Sequence, residues 1–289
     1  MGDQQKKYLI IGASSLSSTE LISYYNEDKV SFYGVSSKKN YNNNLYQKIC
    51  SYAQIKSFQN LNFDRVILIS SRIPSQGGNL KDFMNVNKKN QEILKTINWS
   101  SGIDNRITFF SSFSVFKKGL LEIEDTTERE PFDYYGESKA EMEDFVLAYC
   151  RQNNINGLIC RLPVFLYKGG KSNFINKLVT ATKLKKSHTM YNPDQYLSAV
   201  FNAESIYKLD RQKIHGTSLL NCASTPDISF LEIAQLAQSH GLKEALWGET
   251  STPSMKIELK NLESVLLTAP SAKRLIEDFF SSEIGPKNN

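Results

Sequence analysis

The feature that most constrains this chain is an alternation. Over its first two thirds, short apolar runs alternate with helical patterns. Residues 8–11 (Tyr-Leu-Ile-Ile) are apolar without a break, so both faces of that strand need cover, as in a parallel sheet flanked by helices. A small-residue turn, Gly12-Ala13-Ser14-Ser15, leads into a helix over 18–25. The same alternation predicts strands at 30–35, 66–69, 107–110 and 157–161, with a weaker one at 55–58. It predicts helices at 83–97 and 135–151, the second with Met142, Phe145, Val146 and Tyr149 on one stripe. The fold class is therefore α/β, a doubly wound parallel sheet. Beyond Pro163 the pattern loosens. Helices are expected at 174–184 and 203–209, and a strand at 218–222 returns to the sheet. A helix at 229–239 opens on the capping-box pair Ser229 and Glu232, and a last one spans 272–279.

A chain of 289 residues suits one large α/β domain with a small lobe. The expected division puts 1–165 in a dinucleotide-binding domain, with 198–223 returning to it. Residues 166–197 and 224–289 then form a small C-terminal substrate lobe. A net charge of +5 is too mild for a nucleic-acid binder. No run approaches the ~20 apolar residues of a membrane helix, so a soluble, cytoplasmic protein with no membrane partner is expected. Cys50, Cys150, Cys160 and Cys222 are widely spread, which suggests reduced, buried thiols. His188, His215 and His240 are far apart, and no metal site is expected.

Parallel-sheet proteins bind ligands at the carboxyl ends of their strands. The first such end is Ile11-Gly12-Ala13-Ser14-Ser15-Leu16-Ser17-Ser18, where a helix N-terminus can present N–H groups to a phosphate. This segment resembles the G-x-x-G-x-x-G turn of the extended short-chain dehydrogenase/reductase family. Gly12 is kept, and Ser15 and Ser18 stand at the other two glycine positions. A serine at positive φ would be strained there. An ordinary strand–helix turn with a serine N-cap is the plain alternative. After the second strand, Val35-Ser36-Ser37-Lys38-Lys39 has no acid for a ribose 2′-hydroxyl. Serines and lysines suit a 2′-phosphate, which points to NADP, with NAD as the alternative. Solvated lysines on a loop are the plain reading.

Tyr-x-x-x-Lys occurs four times, at Tyr25/Lys29, Tyr52/Lys56, Tyr135/Lys139 and Tyr167/Lys171, so spacing alone decides nothing. Only Tyr135/Lys139 opens a long amphipathic helix just after a strand that ends in serines. Residues i and i+4 share a helix face, and an ammonium there is expected to draw the phenol down toward the working pH. Tyr135 is then a candidate general acid/base. An exposed polar pair is the bland reading.

The resemblance extends through Ser111-Ser112-Phe113-Ser114-Val115-Phe116, similar to the family's Ser-Ser-x-x-Val-Tyr segment, and Tyr135-Gly136-Glu137-Ser138-Lys139, similar to its Y-G-x-S-K form. Further matches are Arg161-Leu162-Pro163-Val164-Phe165 and Ser172-Asn173-Phe174. Together they run in order over residues 8–240. The resemblance implies a Rossmann-type sheet with Ser112, Tyr135 and Lys139 as the catalytic set, Ser111 and Ser114 being fallbacks for Ser112. It implies a cofactor lined by Gly12, Ser14, Ser15, Leu16, Ser36, Ser37, Lys38, Ser70, Ser71, Asn87, Leu162 and Val164, besides Tyr135 and Lys139. Phe113, Ser114 and Asn173 would meet the substrate. The implied activity is reduction of a keto group on a nucleotide-linked sugar. Epimerisation is the alternative, set lower because the altered glycine turn suggests a weak hold on the dinucleotide. A dehydratase lacks its carboxylate at Phe113-Ser114. A non-catalytic dinucleotide sensor or scaffold is the reading from another class. The family also implies a homodimer through the helices at 83–97 and 135–151.

Overall fold

The computed structural model describes residues 5–25, 29–38, 41–102, 104–170, 173–197, 200–248 and 256–285. Lys39, Lys171 and Ser172, which figured in the sequence reading, lie outside the described residues.

The apolar runs form one seven-stranded parallel sheet. Its strands are β1 (Lys6–Ile11), β2 (Val30–Ser36), β3 (Lys48–Ser51), β4 (Arg65–Leu68), β5 (Arg106–Ser112), β6 (Asn156–Leu162) and β7 (Thr217–Asn221). They lie in the order β7-β6-β5-β4-β1-β2-β3. β1 takes β2 on one side and β4 on the other, with Tyr8 opposite both Phe32 and Arg65. The chain thus changes direction between β1 and β4, and their carboxyl ends, Ile11 and Leu68, open a crevice of the kind that receives ligands in such sheets. The strand expected at 55–58 is corrected. That segment lies in a 3₁₀ turn, Tyr52–Phe58, and the strand comes earlier, at Lys48–Ser51.

Helix α1 (Leu16–Ser23) follows β1, and α2 (Leu80–Thr96) follows β4. α3 (Tyr134–Asn153) follows β5. α2 turns Phe83, Ile93 and Leu94 inward, and α3 turns Met142, Val146, Tyr149 and Cys150 inward. Ile93 and Leu94 of α2 and the four residues of α3 cover Leu9, Ile11, Val66, Leu68, Ile107 and Phe109 of the central strands in one continuous core. α3 starts where Asp133 accepts a hydrogen bond from the Gly136 amide at 2.7 Å. It stops at Asn154, in the left-handed region with φ 53°.

The described chain divides into two compact units. The first comprises Met1–Lys117, Arg129–Arg161 and Tyr207–Leu220, and the second Lys118–Glu128, Leu162–Ile206 and Asn221–Asn289. Lys118–Glu128 was expected with the first domain. It falls in the second unit because its strand Glu122–Ile123 pairs with Lys256–Ile257. The second unit has its own core of Leu166, Ile175, Leu178, Val200, Ile233 and Phe280, among others. Helices α4 (Phe174–Lys183), α6 (Phe230–Ser239) and α8 (Ala272–Ile284) pack on one another there. Helix α5 (Ala203–Asp210) lies between α4 and α6 along the chain, and α7 (Lys260–Leu266) was not foreseen. Among the described residues no helix is long and apolar enough to cross a membrane. All four cysteines are buried, and none forms a disulfide among the described residues.

Candidate active site

The turn after β1 answers the question its serines raised. Gly12 alone takes positive φ, +105°, and a Cβ there would lie 2.8 Å from the Ser70 backbone nitrogen. Glycine is required at that point. Ser15 sits at φ −82° as the N-cap of α1, its Oγ accepting from the Ser18 amide at 3.1 Å. Ser18 is fully buried, and its Oγ donates to the carbonyls of Ser15 at 2.7 Å and Ala13 at 3.1 Å. The expected strain is therefore absent, because neither serine occupies a conformation that needs glycine. Ser14 is half-buried, and Leu16 exposes 54% of its surface at the helix start.

The neighbouring strand ends complete this rim. The amides of Gly12 and Ala13 donate to the Val35 carbonyl at the end of β2. There Ser36 is buried and accepts from the Lys38 amide at 3.0 Å, while Ser37 and Lys38 are exposed. After β4, the Ser70 amide donates to the Ile11 carbonyl at 2.9 Å. Its carbonyl accepts from Asn90 Nδ2 at 3.0 Å, and its hydroxyl meets the Tyr52 hydroxyl at 2.6 Å. Asn90, fully buried on α2, was not singled out from the sequence, where it reads as one more polar residue in a Lys-Asn-rich helix. Asn87, expected at the cofactor, is buried on α2. Its carboxamide donates to the Ser138 carbonyl at 2.7 Å and to Glu141, which ties α2 to α3.

The candidate proton-transfer residues Ser112, Tyr135 and Lys139 lie where β5 meets α3. Ser112 ends β5, and its hydroxyl accepts from the Ser114 amide at 3.2 Å. Phe113 and Ser114 make the single turn that follows, both half-buried. α3 passes so close to that turn that a Cβ at Gly136 would lie 2.0 Å from the Ser114 carbonyl oxygen. Gly136 is thus what lets Tyr135 reach Ser112, a role visible in the sequence only as the glycine of the Y-G pair. Burial pushes the Tyr135 phenol up to about 12, opposed by the hydroxyls of Ser112 and Ser71. Burial also pushes the Lys139 ammonium down to about 7, opposed by Glu143. Lys139 Nζ donates to the Phe110 carbonyl at 2.5 Å and lies 5.6 Å from the centre of the Tyr135 ring. The expectation that Lys139 draws Tyr135 down toward neutrality is corrected. Low-dielectric surroundings disfavour phenolate and ammonium alike, and both groups tend to their neutral forms.

Ser111 is not a substitute for Ser112. Its hydroxyl is committed to Glu143, a fully buried residue one turn beyond Lys139. Glu143 also accepts two hydrogen bonds from Arg161, at 3.1 and 2.9 Å, and one from Arg129 at 3.3 Å.

The remaining expected residues belong to the second unit. Leu162 is buried at the end of β6, and Val164 is half-buried in the next strand. Asn173 caps α4, accepting from the Asn176 amide at 2.8 Å and donating to the Phe165 carbonyl at 3.1 Å. Both ends of its carboxamide are thus engaged.

A doubly wound sheet with a glycine-led turn at its switch point is the architecture of dinucleotide-binding α/β proteins. The comparisons name the branch. The model of the NAD dependent epimerase/dehydratase family matches residues 8–197, and the chain belongs to that family. No curated protein sequence matches it. Among solved structures it is similar to UDP-N-acetylglucosamine 4-epimerase from Bacillus cereus (15% identity, 98% of each chain covered, TM-score 0.76). UDP-glucuronic acid 4-epimerase from Bacillus cereus, in complex with UDP-glucuronic acid and NAD, gives 16% identity, 96% and 98% coverage and TM-score 0.75. MoeE5 in complex with UDP-glucose and NAD gives 14%, 96% and 97%, and 0.74. At these identities the likeness shows the fold alone.

Proposed function

We propose that this protein is an NAD-dependent epimerase of a nucleotide-linked sugar, with Ser112, Tyr135 and Lys139 as its catalytic residues. The observation that carries the reading is the convergence of these three residues at the carboxyl ends of the strands, in a chain of the epimerase/dehydratase family. Reduction stood higher in the sequence reading because the serines of the turn suggested a poor hold on the dinucleotide. That ground falls away once Ser15 and Ser18 prove unstrained. Relatives of the same fold carry NAD and UDP-linked sugars, which supports NAD over NADP and a sugar attached to a nucleoside diphosphate.

NAD would accept a hydride from a sugar carbon and return it to the opposite face. The residues of this chain handle the proton. Ser112 holds the sugar oxygen, Tyr135 takes the hydroxyl proton as the carbonyl forms and gives it back afterwards, and Lys139 orients the cofactor ribose and shares charge with Tyr135. The positive ring of oxidised NAD favours the phenolate that burial alone opposes.

The test is incubation with NAD and UDP-glucose, UDP-glucuronic acid or UDP-N-acetylglucosamine, deuterated at C4. The expected result is a C4 epimer that keeps its deuterium, with no net change in reduced cofactor. Tyr135→Phe should lower kcat by about 100- to 10,000-fold while NAD affinity holds. Net consumption of reduced cofactor on a 4-keto sugar would instead make the protein a reductase. Failure to bind any nicotinamide cofactor would overturn both and leave the scaffold reading.

A further inference from the structure

The opposite end of the same sheet carries a buried cluster of charge. Three charged side chains are buried at the amino-terminal edge of the strands. Arg65 opens β4, Arg106 opens β5, and Asp210 closes α5. Their exposures are 6%, 1% and 0%. Asp210 accepts from Tyr25 and from Thr108, each at 2.7 Å, and pairs with Arg65. Arg106 Nη1 donates to the Asp210 carbonyl at 2.8 Å and stands 4.0 Å from its carboxylate. Two buried guanidinium groups thus face one buried carboxylate; the further acid near Arg106 is the exposed Asp104, 3.8 Å from Lys6. The balance is not repaired by Tyr25, whose phenol is held protonated by burial and by Asp210. Nε of Arg65 and Nε of Arg106 are both buried without a hydrogen-bond partner.

Buried donors and buried charges are ordinarily matched, since an unmatched one costs free energy. Here both arginines line a cleft of about 360 Å³. Lys6, Lys29, Arg211 and Lys213 line it too, and Asp104 is the acidic group among its lining residues. Glu27 and Asp28 precede Lys29 in the sequence and lie outside the described residues. Parallel strands place this cleft at the far end from Gly12, Ser112 and Tyr135, about 20 Å away for a six-residue strand.

We propose that this cleft is a binding site for a small, multiply charged phosphate anion, separate from the catalytic end of the sheet. The cleft is larger than one orthophosphate needs, and its cations come from the starts of β1, β4 and β5, from the residue before β2 and from the connection after α5. An anion bound there completes the charge balance of Arg65 and Arg106 and ties that connection to the sheet. Two sources share the chemistry, free pyrophosphate and a phosphorylated sugar.

The experiment is calorimetric titration of the protein saturated with NAD, at constant ionic strength, with inorganic pyrophosphate in one arm and glucose 6-phosphate in the other. Saturable one-to-one binding is expected in at least one arm, and the tighter arm identifies the source. The variant K6E/K213E, altered at two exposed lysines, should bind at least about tenfold more weakly while its NAD affinity is unchanged. Amide hydrogen exchange should slow at residues 65–66, 106–107 and 210–214 on adding the anion. Absence of saturable binding in both arms, equal affinity in the variant, or protection confined to residues 12–18 would each overturn the proposal. The NAD control keeps this result separate from the fate of the epimerase reading.

Discussion

Gly12 and Ser18 show how differently two positions of one turn can constrain a residue. At φ +105° and with Ser70 in the way, Gly12→Ala should lose about 1–3 kcal/mol of stability and its NAD binding. Ser18→Gly meets no steric barrier and gives up its bonds to the Ala13 and Ser15 carbonyls, so it should cost only about 1 kcal/mol and leave NAD binding in place. Chemical denaturation with cofactor titration of both variants checks the contrast, and an equal effect would refute it. Lys139 adds a pH signature. Its pKa is about 7 when folded and 10.5 when unperturbed, so between these values the unfolded chain binds more protons. Stability contributed through Lys139 therefore rises as pH climbs across that window. Tyr135 works in the other direction. It keeps its proton to about 12 when folded against 10.0 unperturbed, so its contribution falls once pH passes that lower value. Melting temperatures of the wild type and Lys139→Met, compared at pH 7 and about pH 9, should show a climb in the wild type that the variant lacks. A parallel climb in both would remove Lys139 from the account. Ser112, Tyr135 and Lys139 were legible in the sequence because their signal is local, a strand end and a helix start. Gly136 and Asn90 were not, because each is fixed by contact with a distant carbonyl, that of Ser114 or Ser70.

Among elements, α3 does the most to assemble the site. One face carries Tyr135 and Lys139 in its first turns, then Glu143, which gathers Ser111, Arg129 and Arg161. The helix is thereby locked to the ends of β5 and β6. Glu143→Ala would leave the buried Arg161 without its carboxylate and should cost about 3–5 kcal/mol, readable as a lower denaturation midpoint. A loss below about 1 kcal/mol would mean that Arg129 and Arg161 find other partners. The six strands with unbroken apolar runs or a clear return to the sheet were read close to their true places, since strands buried on both faces advertise themselves. β3 was missed for the converse reason. It lies at the sheet edge, and in Lys48-Ile49-Cys50-Ser51 only Cys50 is buried, so no apolar run marks it. Ile55–Phe58 looked more strand-like, yet only Phe58 of that turn is buried, with Tyr52 and Ile55 packing partly exposed against the core.

At the scale of the whole molecule, the sheet is closed by chain that arrives late. β7 joins its edge after the excursion through residues 162–206, and Asp210 meets Arg65 and Arg106 across more than a hundred residues. No sequence window contains such a cluster, which is why the sequence reading did not find it. Asp210→Ala should be among the most damaging single changes in the first unit, at about 3–5 kcal/mol, because it strands two buried cations. Equilibrium unfolding measures this directly, and an unchanged midpoint would show that solvent reaches the arginines. The family match ends at residue 197, thirteen residues short of that carboxylate by the numbering. A polypeptide cleaved at the end of the match would keep Gly12, Ser112, Tyr135 and Lys139, yet it would lack both the edge strand and Asp210, the acid that pairs with Arg65 among the described residues. Its failure to bind NAD would report a collapsed sheet rather than a missing catalytic group, so truncation after residue 197 is expected to silence the protein without removing any of those four residues.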